Sequence, residues 1–246
     1  MLKCRMNEIS MKISSPETEL ICDERDIYER LLTLQDADIL ELGCGKADKT
    51  MAIAKGSKVA SIVALEVDVI QHAENLRREA PDNVKFGQGG AEAIPAGDLS
   101  FGIVMMFKSL HHVPVELMDE AMGEIHRVLK EGGVAYISEP VFAGDFNEIL
   151  RLFHDEQKVR EAAFASVKRA VESGRFTLAS QTFFSTPMHF LDFSEFETKI
   201  LKVTHTQHRL SEALYQEVRQ KFMRHMTPEG AMFQMPIRVD LLRKAG

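Results

Sequence analysis

Cysteine is scarce in this chain and follows no pattern. The three present, Cys4, Cys22 and Cys44, form no CxxC pair and no metal-ligand spacing. That argues against a structural zinc site and points to a reducing, cytoplasmic setting. Long apolar runs are also missing: no stretch of about 18 apolar residues offers a membrane span. The first fifteen residues interleave Lys3, Arg5, Glu8 and Lys12 with apolar side chains, so they lack the apolar core of a signal peptide. Positive charge is in deficit. Thirty Lys and Arg against 37 Asp and Glu give a formal net charge of −7. Such a surface repels phosphate backbones, so nucleic acid is not an expected partner. Repeats and low-complexity tracts are absent as well. What remains is an ordinary globular composition, 45% hydrophobic and 27% charged over 246 residues, enough for one α/β domain with an insertion or a small lid.

From residue 37 to 139 apolar β-rich runs alternate with helical patterns. Ala37–Leu42, Val59–Leu65, Asn83–Phe86, Phe101–Phe107 and Val134–Ser138 read as five strands, several apolar throughout, as strands covered on both faces are. Between them Ile70, Ala73, Leu76 and Ala80 fall on one helical face. Leu117, Ala121, Ile125, Val128 and Leu129 fall on another, which Gly132-Gly133 would stop. The alternation predicts right-handed crossovers and a parallel sheet. After Pro140 the period stays helical through Phe146, Ile149, Leu150 and Phe153 and then Val159, Ala163, Val167 and Val171. Ser194 and Glu197 have capping-box spacing. Lys202–Leu210 reads as a sixth strand, Ser211–Met226 as a helix and Gln234–Leu242 as the last strand. The expected organisation is an N-terminal segment and Rossmann-like core over 1–140, a helical lid over 141–187, and a C-terminal part of the core sheet over 188–246. The interruption is longer than an ordinary connection.

Glu41-Leu42-Gly43-Cys44-Gly45 follows a strand and opens a helix. Glycines there let the backbone turn sharply and let a ligand approach closely. A dinucleotide site places a third glycine where this chain has Asp48, and a pyrophosphate on that helix end would meet its carboxylate. S-adenosyl-L-methionine (SAM) has no phosphate and tolerates Asp48. Its sulfonium and ammonium charges suit a site bearing Glu41. Glu66 closes the second strand, where an acid can accept hydrogen bonds from both hydroxyls of a ribose. A plain strand-to-helix turn is the simplest alternative for the two glycines.

These segments, together with Ala64-Leu65-Glu66-Val67-Asp68, Gly90-Ala91-Glu92-Ala93-Ile94-Pro95, Ser109-Leu110-His111-His112-Val113 and Leu129-Lys130-Glu131-Gly132-Gly133, resemble the class I SAM-dependent methyltransferases. The likeness is greatest to the small-molecule group that includes the ubiquinone and menaquinone biosynthesis enzymes. The resemblance covers residues 30 to 140. It implies a doubly wound seven-stranded sheet, mostly parallel with an antiparallel last strand, and SAM over the strand ends. Glu41, Gly43, Cys44 and Gly45 would hold the cofactor, Glu66 and Val67 the ribose end, Gly90, Ala91 and Glu92 the adenine, and Phe107 and Lys108 the methionine part. The chain departs from the family at Ala47, usually glycine, and at Gly90 and Gly102, usually aspartate. The loss at Gly90 leaves the backbone or Glu92 to meet the adenine.

His112 lies past strand four, beside the expected methyl donor. It either takes a proton from the acceptor or belongs to a loop motif that shapes the turn. Glu139, at the end of strand five, is a second candidate base or a solvated strand-end acid. His205 and His208, three apart on an expected strand, face opposite sides and make no metal pair. Phe142, Phe146, Phe153, Phe164, Phe176, Phe183, Phe184 and Phe190 fit a lid core or an apolar pocket. The expected function is methyl transfer from SAM to a small-molecule acceptor, with no metal required. Phe107-Lys108-Ser109-Leu110 lacks the Asn/Asp-Pro-Pro-Tyr/Phe motif of the nucleic-acid base and glutamine methyltransferases. SAM binding without transfer and an NAD-dependent oxidoreductase are the alternatives.

Overall fold

Residues 11–15, 18, 20–202 and 210–246 are described by a computed structural model. Five apolar runs form the parallel strands β1 (Asp38–Leu42), β2 (Ser61–Glu66), β3 (Val84–Gln88), β4 (Phe101–Phe107) and β5 (Leu129–Pro140). Three more follow, β6 (Phe176–Phe190), the short β7 (Met226–Thr227) and β8 (Gly230–Lys244). The sheet order is β3-β2-β1-β4-β5-β8-β6, with β7 beside β8. β8 runs antiparallel to β5, with Glu139 opposite Arg238, and β6 runs antiparallel to β8. The path reverses direction beside β1, and in such sheets ligands bind outside the carboxyl ends of the strands at that point.

The helices are α1 (Glu24–Leu31), α2 (Asp48–Gly56), α3 (Val69–Asn75), α4 (Met118–Val128), α5 (Asp145–Leu150), α6 (Gln157–Glu172), α7 (Phe193–Phe196) and α8 (Glu212–Met223). On one face of the sheet Ala121, Ile125 and Val128 of α4 and Ala163 and Val167 of α6 pack on Leu40, Val104 and Ile137. On the other, Ile27 and Tyr28 of α1 and Ile53 of α2 pack on Ile39, Ile103 and Tyr136. Each such buried side chain contributes about 1.5–3 kcal/mol of transfer free energy. Among the described residues no helix is long and apolar enough to cross a membrane.

Three local expectations are corrected, and a fourth falls outside the described residues. Residues 203–209 of the expected sixth strand lie outside the described residues, as do His205 and His208. The strand beside β8 is β6. β6 is an edge strand with mixed exposure, so its apolar signal is diluted by Ser180, Gln181 and Thr182. Ile70 and Leu76 are not the buried face of α3; they are 73% and 60% exposed. That helix docks instead through buried Asn75, whose Nδ2 donates to the Gly45 carbonyl at 2.7 Å. The cap of α7 is Asp192, which accepts from Glu195 N–H, while Glu195 accepts from Leu191 N–H. Finally, α4 ends at Val128 and β5 begins at once, with Gly132 inside it at φ +73°.

Within 141–187 lie α5, α6 and the first part of β6. Beyond Pro140, which pairs with Ile237, β5 stops, yet β8 and β6 continue together to the pair Ala231–Phe190. This extension lies past the carboxyl end of β5. It carries a third core in which Phe146, Phe190, Phe196, Phe222 and Phe233 converge from α5, β6, α7, α8 and β8. Ring centroids there stand 4.9 to 6.3 Å apart, mostly edge to face, the arrangement aromatic quadrupoles favour.

Candidate active site

The loop after β1 is built by backbone conformations that glycine tolerates. Gly43 and Gly45 have φ of +70° and +51°. A Cβ on Gly43 would stand 2.6 Å from Ser109 Cβ, so β4 and the loop approach as closely as they do only because residue 43 has no side chain. Ala47, at the family's third glycine, adopts φ +57° despite its methyl group. Ser109 Oγ donates to the Leu42 carbonyl at 2.7 Å, which ties the ends of β1 and β4 together.

Glu66 closes this loop from the end of β2. Its Oε2 accepts from Gly45 N–H at 2.7 Å, and its Oε1 accepts from Val67 and Asp68 N–H, each at 2.9 Å. The carboxylate is therefore fixed in place, and its remaining lone pairs leave room for further donors. Glu41 is fully buried and accepts from Thr50 Oγ1 at 2.5 Å. Burial dominates its titration and raises the carboxyl to about 7, against the opposing pull of Thr50 and Lys49. Burial, then Glu41 and Glu66, pushes the Cys44 thiol up to about 12, so Cys44 is a packing residue here and no nucleophile.

Gly90 explains itself through its neighbour. A Cβ at residue 90 would lie 2.2 Å from Glu92 Oε1. The Glu92 carboxylate thus occupies the space that an acidic side chain at 90 would need. On the other flank, Lys108 has φ +57° and donates from Nζ to Glu24 Oε2 at 2.6 Å. Ser138 Oγ donates to the other Glu24 oxygen. Glu24, 2% exposed on α1, escaped the sequence reading, and only the helix-capping Asp23 before it gave a signal. Phe107 turns toward α1, its ring 6.0 Å from Tyr28 and 5.5 Å from Tyr136.

Past β4 a 3-10 turn, Leu110–His112, presents two imidazoles differently. His111 is buried, its Nδ1 2.5 Å from Glu139 Oε2 and its Nε2 3.6 Å from Glu156 Oε1. Glu139 Oε1 accepts from Leu110 N–H at 2.9 Å. Arg160 donates from NH2 to Glu156 Oε2 at 2.5 Å. Burial alone would lower His111, but Glu139 and Glu156 outweigh it and raise the imidazolium to about 9. Burial opposes Glu156 ionisation too, yet His111 and Arg160 hold that carboxyl far below the usual range. His112 stacks on His111 with centroids 4.1 Å apart and keeps an open face to solvent. Partial desolvation, then the adjacent His111 charge, lowers its pKa, so it is neutral at pH 7. Of the two adjacent histidines the sequence reading preferred His112 over His111, and Glu156 and Arg160 were not among its candidates; the Glu156/Arg160 spacing was a generic helical pair.

The predicted residues thus gather at one end of the sheet: Glu41 to Gly45 from β1, Glu66 and Val67 from β2, Lys108 from β4 and Glu139 from β5. An open groove of about 620 Å3 lies elsewhere, between α4 and α6 around Asp119, Gly123, Ser166 and Arg169, with Glu92 at its border. Arg169 on its wall pairs with Asp119 at 2.7 Å.

Residues 39–133 match the model of a methyltransferase domain. Over that segment the chain carries a methyltransferase domain of the class I SAM-dependent type. It is 33% identical over 109 residues to the demethylmenaquinone methyltransferase of Chlorobaculum parvum, covering 44% of this chain and 42% of that protein. To methyltransferase GfsG of Streptomyces halstedii it is 33% identical over 131 residues, covering 50% and 45%. The matches span less than half the length of these curated relatives. In structure it resembles the YcgJ protein of Bacillus subtilis, with a TM-score of 0.65 at 16% identity over 90% of this chain and 97% of that one. It also resembles the [4+2]-cyclase SpnF, with a TM-score of 0.59 at 18% identity over 90% and 79%. These likenesses extend the methyltransferase fold to nearly the whole chain.

Proposed function

We propose that this methyltransferase carries a methyl group from SAM to a small-molecule acceptor at the carboxyl ends of β1, β4 and β5. The observation that carries the reading is the Glu66-locked glycine loop, tied through Ser109 to the strand end that bears His111 and His112. The residues present suit SAM. Gly43 leaves a cradle that a Cβ would fill, two acids flank it for a cationic ligand, and Glu92 stands in the space of the missing acid at 90. Glu66 would hold the ribose, Ala91 and Glu92 the adenine, and Glu41 with the Phe107-Lys108 corner the methionine part.

When bound, SAM supplies an electrophilic methyl group on a good leaving group, so the protein's main tasks are alignment and exclusion of water. No metal is needed for that chemistry. His112 is the proposed base, being neutral and accessible. Glu139 acts as a positioning residue: it holds His111, whose charge adds to the effect of burial in lowering the pKa of His112. Helices α5 and α6 with the aromatic extension of β6 and β8 form the lid over the acceptor. The net charge of −7 and the substrates named for the relatives, a demethylmenaquinone among them, support a small-molecule acceptor.

Gly90 and Ala47 support a second reading, SAM binding without transfer. Incubating the protein with SAM and a set of quinol, phenol and thiol acceptors and measuring S-adenosylhomocysteine decides between them. Product formation supports transfer. SAM binding by calorimetry with no product from any acceptor supports the second reading, and absence of SAM binding up to millimolar concentration overturns both.

A further inference from the structure

Beyond Glu139 the chain lines a small, partly open space between α5, α6 and β8. Val141, Ala143, Phe146, Leu150 and Met235 form its apolar wall, and it holds about 20 Å3, room for one heavy-atom group. The polar groups on it are Asn147 and Arg160. Asn147, 5% exposed, accepts at Oδ1 from Arg160 NH1 at 3.1 Å. That bond sets the amide orientation, because the flipped amide would press NH2 against a guanidinium, donor to donor. Its Nδ2 is consequently left buried with no hydrogen-bond partner, and buried donors are rarely left so in folded proteins. Four of the five Arg160 N–H donors are already engaged: Nε and one on NH2 with Glu156, and two on NH1 with Asn147 and the Val141 carbonyl.

We propose that Asn147 is an oxygen-recognition subsite of the acceptor pocket, selecting acceptors that carry a carbonyl oxygen on an otherwise apolar frame. This rests on the methyl-transfer reading. Val141 directly follows the end of β5, and the chain Asn147–Arg160–Glu156–His111 runs from the subsite back to the imidazole pair. An acceptor lying along it presents its nucleophilic hydroxyl to His112 and its carbonyl to Asn147. The free donor is an uncharged amide and the guanidinium is already neutralised by Glu156, so the site favours a neutral carbonyl over a carboxylate. Apolar walls without a donor would accept a methylene equally well; the lone amide makes the oxygen matter.

The test uses two phenols of matched size, 4-hydroxyacetophenone and 4-ethylphenol, titrated by calorimetry into protein saturated with S-adenosylhomocysteine. The wild type is expected to bind the ketone about tenfold or more tightly than the ethyl compound. Asn147→Asp keeps an acceptor for Arg160, and its carboxylate replaces the amide donor with a negative charge; it should abolish that preference with S-adenosylhomocysteine affinity unchanged. Asn147→Leu should do the same and carries the test if the aspartate variant does not fold. Equal affinity of the two phenols for the wild type overturns the subsite, as does a preference that survives in the variants, where Asn147 would merely hold a water. Lack of phenol binding to protein that does bind S-adenosylhomocysteine overturns the subsite and leaves the methyltransferase reading standing; failure to bind S-adenosylhomocysteine overturns both.

Discussion

His111 Nδ1 and Glu139 Oε2 stand 2.5 Å apart, both side chains almost fully buried, joining the turn after β4 to the end of β5. The pair raises His111 from an ordinary 6.5 to about 9 against the opposing effect of burial. A group whose folded pKa is raised contributes stability that is fully present below its unfolded pKa and is lost as pH rises through the folded value. Thermal melts should therefore show the protein losing stability between about pH 6.5 and 9. In Glu139→Gln that decline should shrink, because a neutral amide holds the imidazolium less well. An identical decline in the variant would show that Glu139 does not set the His111 charge.

His112 should appear as a base in the kinetics. Its pKa is lowered, so turnover should rise with pH through a point below 6.5 and stand level at pH 7. His112→Ala should remove that acid limb and lower turnover by up to about 10²–10⁴-fold while SAM affinity stays near wild type. A variant with wild-type turnover and pH profile would mean that the site acts by proximity alone.

Glu66→Ala should weaken SAM binding by about 1.5–3 kcal/mol, the range for hydrogen bonds to a charged acceptor. Gly45 N–H loses its partner in the same change, so Glu66→Gln, which keeps an acceptor oxygen, should fall between the two. Calorimetry with SAM measures both, and unchanged affinity in the alanine variant would remove Glu66 from the ribose site.

Glu41 gives SAM binding its own pH dependence. Its carboxyl, raised to about 7 chiefly by burial, is part protonated at neutral pH. A cationic ligand favours the ionised form, so affinity should increase as pH rises through 7 and binding should release protons to buffer. Titrations in buffers of different ionisation enthalpy detect that release. Glu41→Gln should abolish it, and a release that persists would assign the proton to another group.

Gly43→Ala tests the cradle. A left-handed φ costs an L-residue about 1–2 kcal/mol, and the new Cβ meets Ser109 at 2.6 Å. Lower thermal stability and weaker SAM binding are expected together. Gly45→Ala, whose Cβ meets nothing within 4 Å, should be milder on stability.

The sequence by itself determined the parallel half of the fold and one end of the site. Strands covered on both faces must be apolar along their length, so β1, β2, β4 and β5 announce themselves in the order of the residues. A glycine loop followed by an acid at the end of β2 leaves the loop and Glu66 little choice of place. The tertiary structure decided what depends on contacts between distant segments. β6 is mixed in character because it is an edge, and only pairing with β8 makes it a strand. The exposed apolar face of α3 shows periodicity failing where the polar Asn75 anchors the helix. Nothing in two adjacent histidines says which turns inward; the 3-10 turn and the carboxylate of Glu139 send His111 into the protein and leave His112 at the surface. Glu24, Glu156 and Arg160 join the site by the same route, since a charge far away in the chain acquires a role only when folding removes the water around it and brings its partner within reach.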